Sequence, residues 1–112
     1  MKPISLNQKD QAAIQDFRQR LIRLLGQNLK KLALFGSKAE GKDTRESDID
    51  ILVLVKDSAL DMREKILDAA FEVNLEHGVY ISPRVIPLSI FQHPVWRITS
   101  FMKHVREKGV TL

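Results

Sequence analysis

Two apolar runs joined by a polar connection of defined length constrain this chain more than anything else in it. The first, Leu32 to Phe35, stops at Gly36-Ser37. Ten mostly polar residues follow, and the second run opens with Asp48-Ile49-Asp50 and continues to Val55. Alternate residues of a strand face the same way, so Asp48 and Asp50 stand side by side at the start of the second strand. Two carboxylates aimed in one direction repel unless something positive lies between them, and a divalent cation meets that need. Gly36 and Ser37, at the end of the neighbouring strand, can offer backbone N–H groups and a hydroxyl to an anion. An anion cradle beside a metal-binding carboxylate pair suits a metal-bound triphosphate. The competing reading of the aspartates is a turn leading into an exposed strand start. For Ser37 it is the N-cap of a short helix, which is compatible with an anion site.

Ser5-Leu-Asn-Gln8 has the form of a capping box, with Asn7 as a competing cap. Ile14, Phe17, Leu21, Leu24 and Leu25 then recur at helical spacing up to Gly26. Lys30 to Phe35 reads as the first strand, Ser37 to Glu40 as a short helical turn, and Gly41 to Ser47 as a connection rich in turn formers. Asp48 to Val55 is the second strand, and its near-continuous apolar run implies cover on both faces.

Asp57 or Ser58 can cap a second helix, in which Leu60, Ile66, Leu67, Ala70, Phe71 and Val73 make a broad apolar face ending near His77-Gly78. Val79 to Pro87 reads as a third strand that Pro83 confines to an edge or a bulge. Pro94 fits the first turn of a last helix, with Ile98, Phe101, Met102 and Val105 on one side and Gly109 at its end. The order helix, strand, turn, strand, helix, strand, helix predicts a small α/β sheet with helices mainly on one face.

At 112 residues the chain is expected to form one domain, residues 1–112, with a single core. No apolar run approaches the roughly 20 residues that a membrane span needs, and the N-terminus lacks a signal-peptide pattern. The absence of cysteine excludes disulfides, thiolate metal sites and cysteine nucleophiles. A cytoplasmic protein is expected. The formal charge of +4 suits an anionic partner. The basic residues are dispersed, however, and an aromatic content of 6% leaves few stacking platforms, so nucleic acid is not the expected ligand.

Gly36-Ser37, ten residues, then Asp48-Ile-Asp50 resembles the signature of the DNA polymerase beta-like nucleotidyltransferase superfamily, in particular its minimal nucleotidyltransferase branch. The match is close from about Leu32 to Val55 and extends elsewhere through element order. The resemblance implies a mixed β-sheet and transfer of a nucleoside monophosphate, most simply AMP from ATP, to an acceptor. It also implies one or two magnesium ions on Asp48 and Asp50, with Gly36 and Ser37 gripping the terminal phosphates. Lys38, Lys42 and Arg45 could reach those phosphates or simply be solvated, with Lys38 and Arg45 the expected phosphate-binding pair. Ser47 could orient a carboxylate or serve the turn. Proteins of this kind are often paired with a small helical HEPN-type toxin, which the nucleotidyltransferase neutralises as an antitoxin, and homo- or hetero-oligomers are compatible with that role.

Two departures from the family pattern bear on activity. Active members commonly carry a third carboxylate on a later strand, whereas Val79 to Pro87 contains no Asp or Glu. Glu40 or Asp43 could substitute, and Glu72 and Glu76 read as the solvent face of the preceding helix. At 112 residues the chain is also expected to lack a second domain that would enclose the base, so that wall is expected from another subunit or the site stays open. A nucleotide-binding module that acts by complex formation is therefore the alternative to an enzyme. His77, His93 and His104 show no paired ligand spacing and belong at helix ends or on the surface, and Trp96 belongs to packing. The tail Val110-Thr-Leu112 could serve an interface, fray or pack locally.

Overall fold

A computed structural model describes residues 6–36, 48–57 and 60–112. The elements are α1 (Gln8–Leu25), a 3-10 turn (Gly26–Asn28), β1 (Leu29–Phe35), β2 (Ile49–Val55), α2 (Leu60–His77) and β3 (Ile81–Pro87). Three short helices follow, α3 (Leu88–Phe91), α4 (Pro94–Arg97) and α5 (Ser100–Lys108), and then β4 (Val110–Thr111).

The sheet has the order β3-β2-β1-β4. β1 runs antiparallel to β2 and to β4, while β2 and β3 are parallel, so the sheet is mixed, as the resemblance implies. Pro83 does lie on an edge strand. β4 was not expected: Val110 pairs with Leu34 and Thr111 with Ala33, and Leu112 N–H donates to Leu32 C=O at 2.9 Å. The tail therefore packs locally, and two residues are too short a run to announce a strand.

Strand alternation sorts the core into two layers. Leu34, Ile49, Ile51, Val53 and Val55 meet Phe17 and Leu21 of α1 and Ile66 and Val73 of α2 on one face. Ala33, Leu52 and Ile86 meet Val105 of α5 on the other, with Phe35, Phe91, Trp96 and Phe101 packed around them. Fully burying one such aliphatic or aromatic side chain contributes about 1.5–3 kcal/mol. The two long helices thus cover one face and short helical pieces the other.

α1 begins at Asn7, whose side chain accepts from Asp10 N–H at 2.8 Å while Asp10 reaches back to Asn7 N–H. The competing cap prevails; Ser5 lies outside the described residues. Leu24 is partly exposed, because the sheet needs only the stripe Ala13, Ile14, Phe17, Leu21 and Leu25. The expected last helix is instead two: Thr99 leaves the helical conformation (φ −67°, ψ 151°), and its hydroxyl accepts from Met102 N–H to start α5. Ile98 falls at that break and is 83% exposed, outside the core that its spacing suggested. α2 departs too: Ile66, Ala70 and Val73 are buried, but Leu60, Leu67 and Phe71 are exposed, because the sheet spans only part of so wide an apolar face. Among the described residues, no helix is long and apolar enough to cross a membrane.

Candidate active site

β1 delivers Gly36 and β2 delivers Asp50 to the same end of the sheet. Phe35 and Asp50 are register partners, so the chain leaving β1 passes directly beside the Asp50 carboxylate. Gly36 has φ +78°, the left-handed region that side chains with a Cβ avoid. A Cβ built there would overlap Asp50 Oδ2. Glycine is required twice over: the backbone must turn sharply, and the carboxylate occupies the space where a side chain would stand.

Asp48 is exposed at the threshold of β2, and Asp50 is half-buried. Partial burial, and then the charge of Asp48, push the Asp50 carboxyl above the usual carboxylate range. Both causes penalise the charged form, and a cation placed between the two groups would reverse the penalty. Hard carboxylate oxygens are the ligands magnesium takes, so the donor set fits that ion. Ser37, Lys38 and Arg45, together with Glu40, Lys42, Asp43 and Ser47, lie outside the described residues.

β3 supplies what register, rather than spacing, reveals. Ser82 is the partner of Asp50 and Arg84 the partner of Leu52, so both share the carboxylate face. This is where a third carboxylate on a later strand would be sought, and the side chains present are a hydroxyl and a guanidinium. Arg84 Cζ lies 4.4 Å from the centroid of Phe101, and Phe101 packs edge-on against Phe35 at 5.4 Å. An aromatic-backed cation thus stands one step along the sheet from Asp50. The period-2 pattern Ser82, Arg84, Ile86 was available in the sequence, but its alignment with Asp50 needs the strand register. Trp96 packs against Phe101 at 6.2 Å, the packing role expected of it.

A second polar cluster is remote from this site. Asp16, Glu76 and His77 bring ligand atoms within 4.8 Å of one another, but on α1 and α2, which cover the opposite face of the sheet. Arg20 already bonds Asp16 at 2.9 Å, Glu72 at 2.6 Å and Glu76 at 2.8 Å, and His77 Nε2 meets Asp16 at 2.9 Å. The cluster is internally compensated and ties the two helices together. His77 closes α2 and His93 caps α4, at helix ends as expected, whereas His104 lies within α5.

A model of the nucleotidyltransferase domain matches residues 14–107. The chain belongs to the nucleotidyltransferase family. Two proteins of Methanocaldococcus jannaschii named as candidate protein adenylyltransferases are similar to it. One is 34% identical over 98 residues, covering 87% of this chain and 92% of its own. The other is 36% identical over 104 residues, covering 92% and 97%. Solved structures share the fold. A toxin–antitoxin complex with AMP-PNP is 22% identical, with a TM-score of 0.58 over 85% of this chain and 68% of that one. A variant of the MntA-HpeT toxin–antitoxin is 21% identical, with a TM-score of 0.56 over 95% and 72%. The nucleotidyltransferase assignment drawn from Gly36-Ser37 and the Asp48-x-Asp50 pair is thus borne out by family and by fold.

Proposed function

We propose that this nucleotidyltransferase moves AMP from ATP to a hydroxyl on a protein partner, with magnesium held by Asp48 and Asp50. The observation that carries the reading is the carboxylate pair itself. Two acidic groups share the start of β2, Asp50 is shifted toward its protonated form, and Gly36 folds against it without room for a side chain. A structural role alone gives no reason to retain so unfavourable a pair.

When bound, magnesium would neutralise charge on the triphosphate and on the departing pyrophosphate. The chain's own residues do the rest. Gly36 and Ser37 bind phosphate oxygens through N–H groups and a hydroxyl, and Lys38 and Arg45 add charge from the connection. The acceptor oxygen bonds to the α-phosphorus as the bond to the pyrophosphate oxygen breaks, and the hydroxyl proton leaves to water or to a base. Losing a positioned base slows such a reaction by about 10²–10⁴-fold, so with no carboxylate on β3 the transfer is expected to be slow. A slow transfer suits a stoichiometric modification of one partner better than metabolic turnover.

The names of the M. jannaschii relatives support a protein acceptor. The neighbours solved as toxin–antitoxin complexes, one with AMP-PNP, support a toxin partner and a nucleoside triphosphate. We take that partner to be a small helical HEPN-type protein and the setting to be the cytoplasm. The Ser82–Arg84 side of β3 favours one alternative, a nucleotide-binding antitoxin that neutralises its partner by complex formation alone. Co-expression with the partner separates the two. Under the leading reading the partner gains the mass of AMP, and gains nothing beside the Asp48→Asn, Asp50→Asn variant. An unmodified partner that both versions bind and inhibit selects the binding module.

A further inference from the structure

The outer flank of α2 carries more apolar surface than the fold uses. Leu60, Leu67, Phe71 and Leu75 lie along one side of the helix and are 73%, 51%, 63% and 69% exposed, and Tyr80 beyond its end is 67% exposed. Leu67, Phe71, Leu75, Tyr80 and Pro83 line an open groove of about 470 Å³. An added strand is a poor occupant, because Val85 N–H is the single outward donor that the neighbouring edge of β3 leaves for it. Ile81 N–H donates to Asn74 Oδ1 at 2.7 Å and its C=O accepts from Asn74 Nδ2 at 3.1 Å. Pro83 and Pro87, which face the same way as Ile81, have no N–H to offer. The groove therefore takes side chains and not backbone.

We propose that its occupant is a second copy of this chain, packed α2 against α2 in antiparallel fashion about a two-fold axis through Phe71. The stripe is self-complementary in that arrangement, as an isologous interface requires. Phe71 meets its own copy, and Leu67 meets Leu75 of the second molecule. One pair of opposite charges is complementary as well. Glu64 of one copy comes beside Gly78 of the other, where Lys9 Nζ stands 4.0 Å from the position a Cβ would take, and symmetry repeats the pair at the other end. The five exposed side chains present on the order of 600 Å² per molecule, so a pair that covers most of them buries roughly 1,000 Å² in total, the lower bound for a specific interface. An interface of that size belongs to the weak end of specific association. Asp48 and Asp50 sit on the opposite face of the sheet, so both candidate active sites remain open.

Sedimentation equilibrium on the full chain tests this. The wild type should be dimeric in the micromolar range, and Phe71→Asp monomeric with an unchanged far-UV circular dichroism spectrum. Lys9→Glu should weaken association several-fold, and Lys9→Glu with Glu64→Lys should restore it. That charge exchange decides the question if Phe71→Asp fails to fold. A wild type monomeric into the high micromolar range would overturn the proposal. So would a dimer indifferent to Phe71→Asp, a charge exchange that restores nothing, or a monomer that uses the Phe71 face to hold a different protein.

Discussion

Replacing Gly36 with alanine separates two costs that the wild-type site avoids together. The first is conformational: at φ +78° a residue with a Cβ loses about 1–2 kcal/mol relative to glycine. The second is steric, because the new methyl group overlaps Asp50 Oδ2; moving that carboxylate off its rotamer costs about 0.5–1.5 kcal/mol. The sum, roughly 1.5–3.5 kcal/mol, lowers Tm by about 6–20 °C in a chain of this size. Only the second cost depends on Asp50. In an Asp50→Ala background, Gly36→Ala should therefore cost the conformational part alone, and the double-mutant cycle should close with a coupling of about 1 kcal/mol. Urea denaturation of the four proteins, with slopes checked for two-state behaviour, reads these values. Nucleotide transfer by Gly36→Ala should fall on the order of 10²-fold, because the carboxylate is misplaced rather than absent. An identical cost in both backgrounds, or a Gly36→Ala protein as stable as wild type, would refute the close approach of the β1 exit to Asp50.

Three further perturbations test the surrounding structure. The Arg20 hydrogen bond, and then that of His77, hold the Asp16 carboxyl below its ordinary value of 3.8. Its contribution is thus complete at neutral pH and fades as pH falls below about 3.8 through the folded value; Asp16→Asn should cost about 1 kcal/mol at pH 7 and flatten that part of the acid denaturation curve. Asn74→Ala leaves the buried Ile81 N–H and C=O without their side-chain partner; it should cost about 1–3 kcal/mol in urea and raise light scattering on heating as the β3 edge opens. Arg84→Ala removes the cation above Phe101 and should cost about 0.5–1 kcal/mol, with Arg84→Lys recovering part of it.

The chemistry was more legible in the sequence than the periphery of the fold. Strand parity alone placed Asp48 and Asp50 on one side of β2, and the glycine closing the first apolar run marked the turn that now lies against Asp50. Both signals are local, so they survive without knowledge of tertiary contacts. Arg84 and Ser82 were missed because their relevance depends on how β3 registers against β2, a long-range pairing that no short window encodes. β4 was missed for the same reason, since Val110 and Thr111 become a strand only because β1 offers an open edge. On α2 the apolar face is as broad as the sequence implies, yet Leu60, Leu67 and Phe71 are exposed: periodicity reports which residues could pack, and the width of the sheet decides how many do. The last helix was divided by Thr99, whose hydroxyl caps α5 more favourably than it serves a helix interior.

The most direct test of the account is transfer itself. Purified protein, α-labelled ATP and magnesium would be incubated with the proposed toxin partner and followed on a denaturing gel, beside the Asp48→Asn, Asp50→Asn variant and a reaction without divalent cation. The account predicts label on the partner with the wild type and magnesium only, accumulating slowly as the missing β3 carboxylate implies. Label that persists in the double variant would remove the carboxylate pair from the chemistry. No label at all, with the partner bound and inhibited by both proteins, would leave a nucleotidyltransferase fold serving as a binding module.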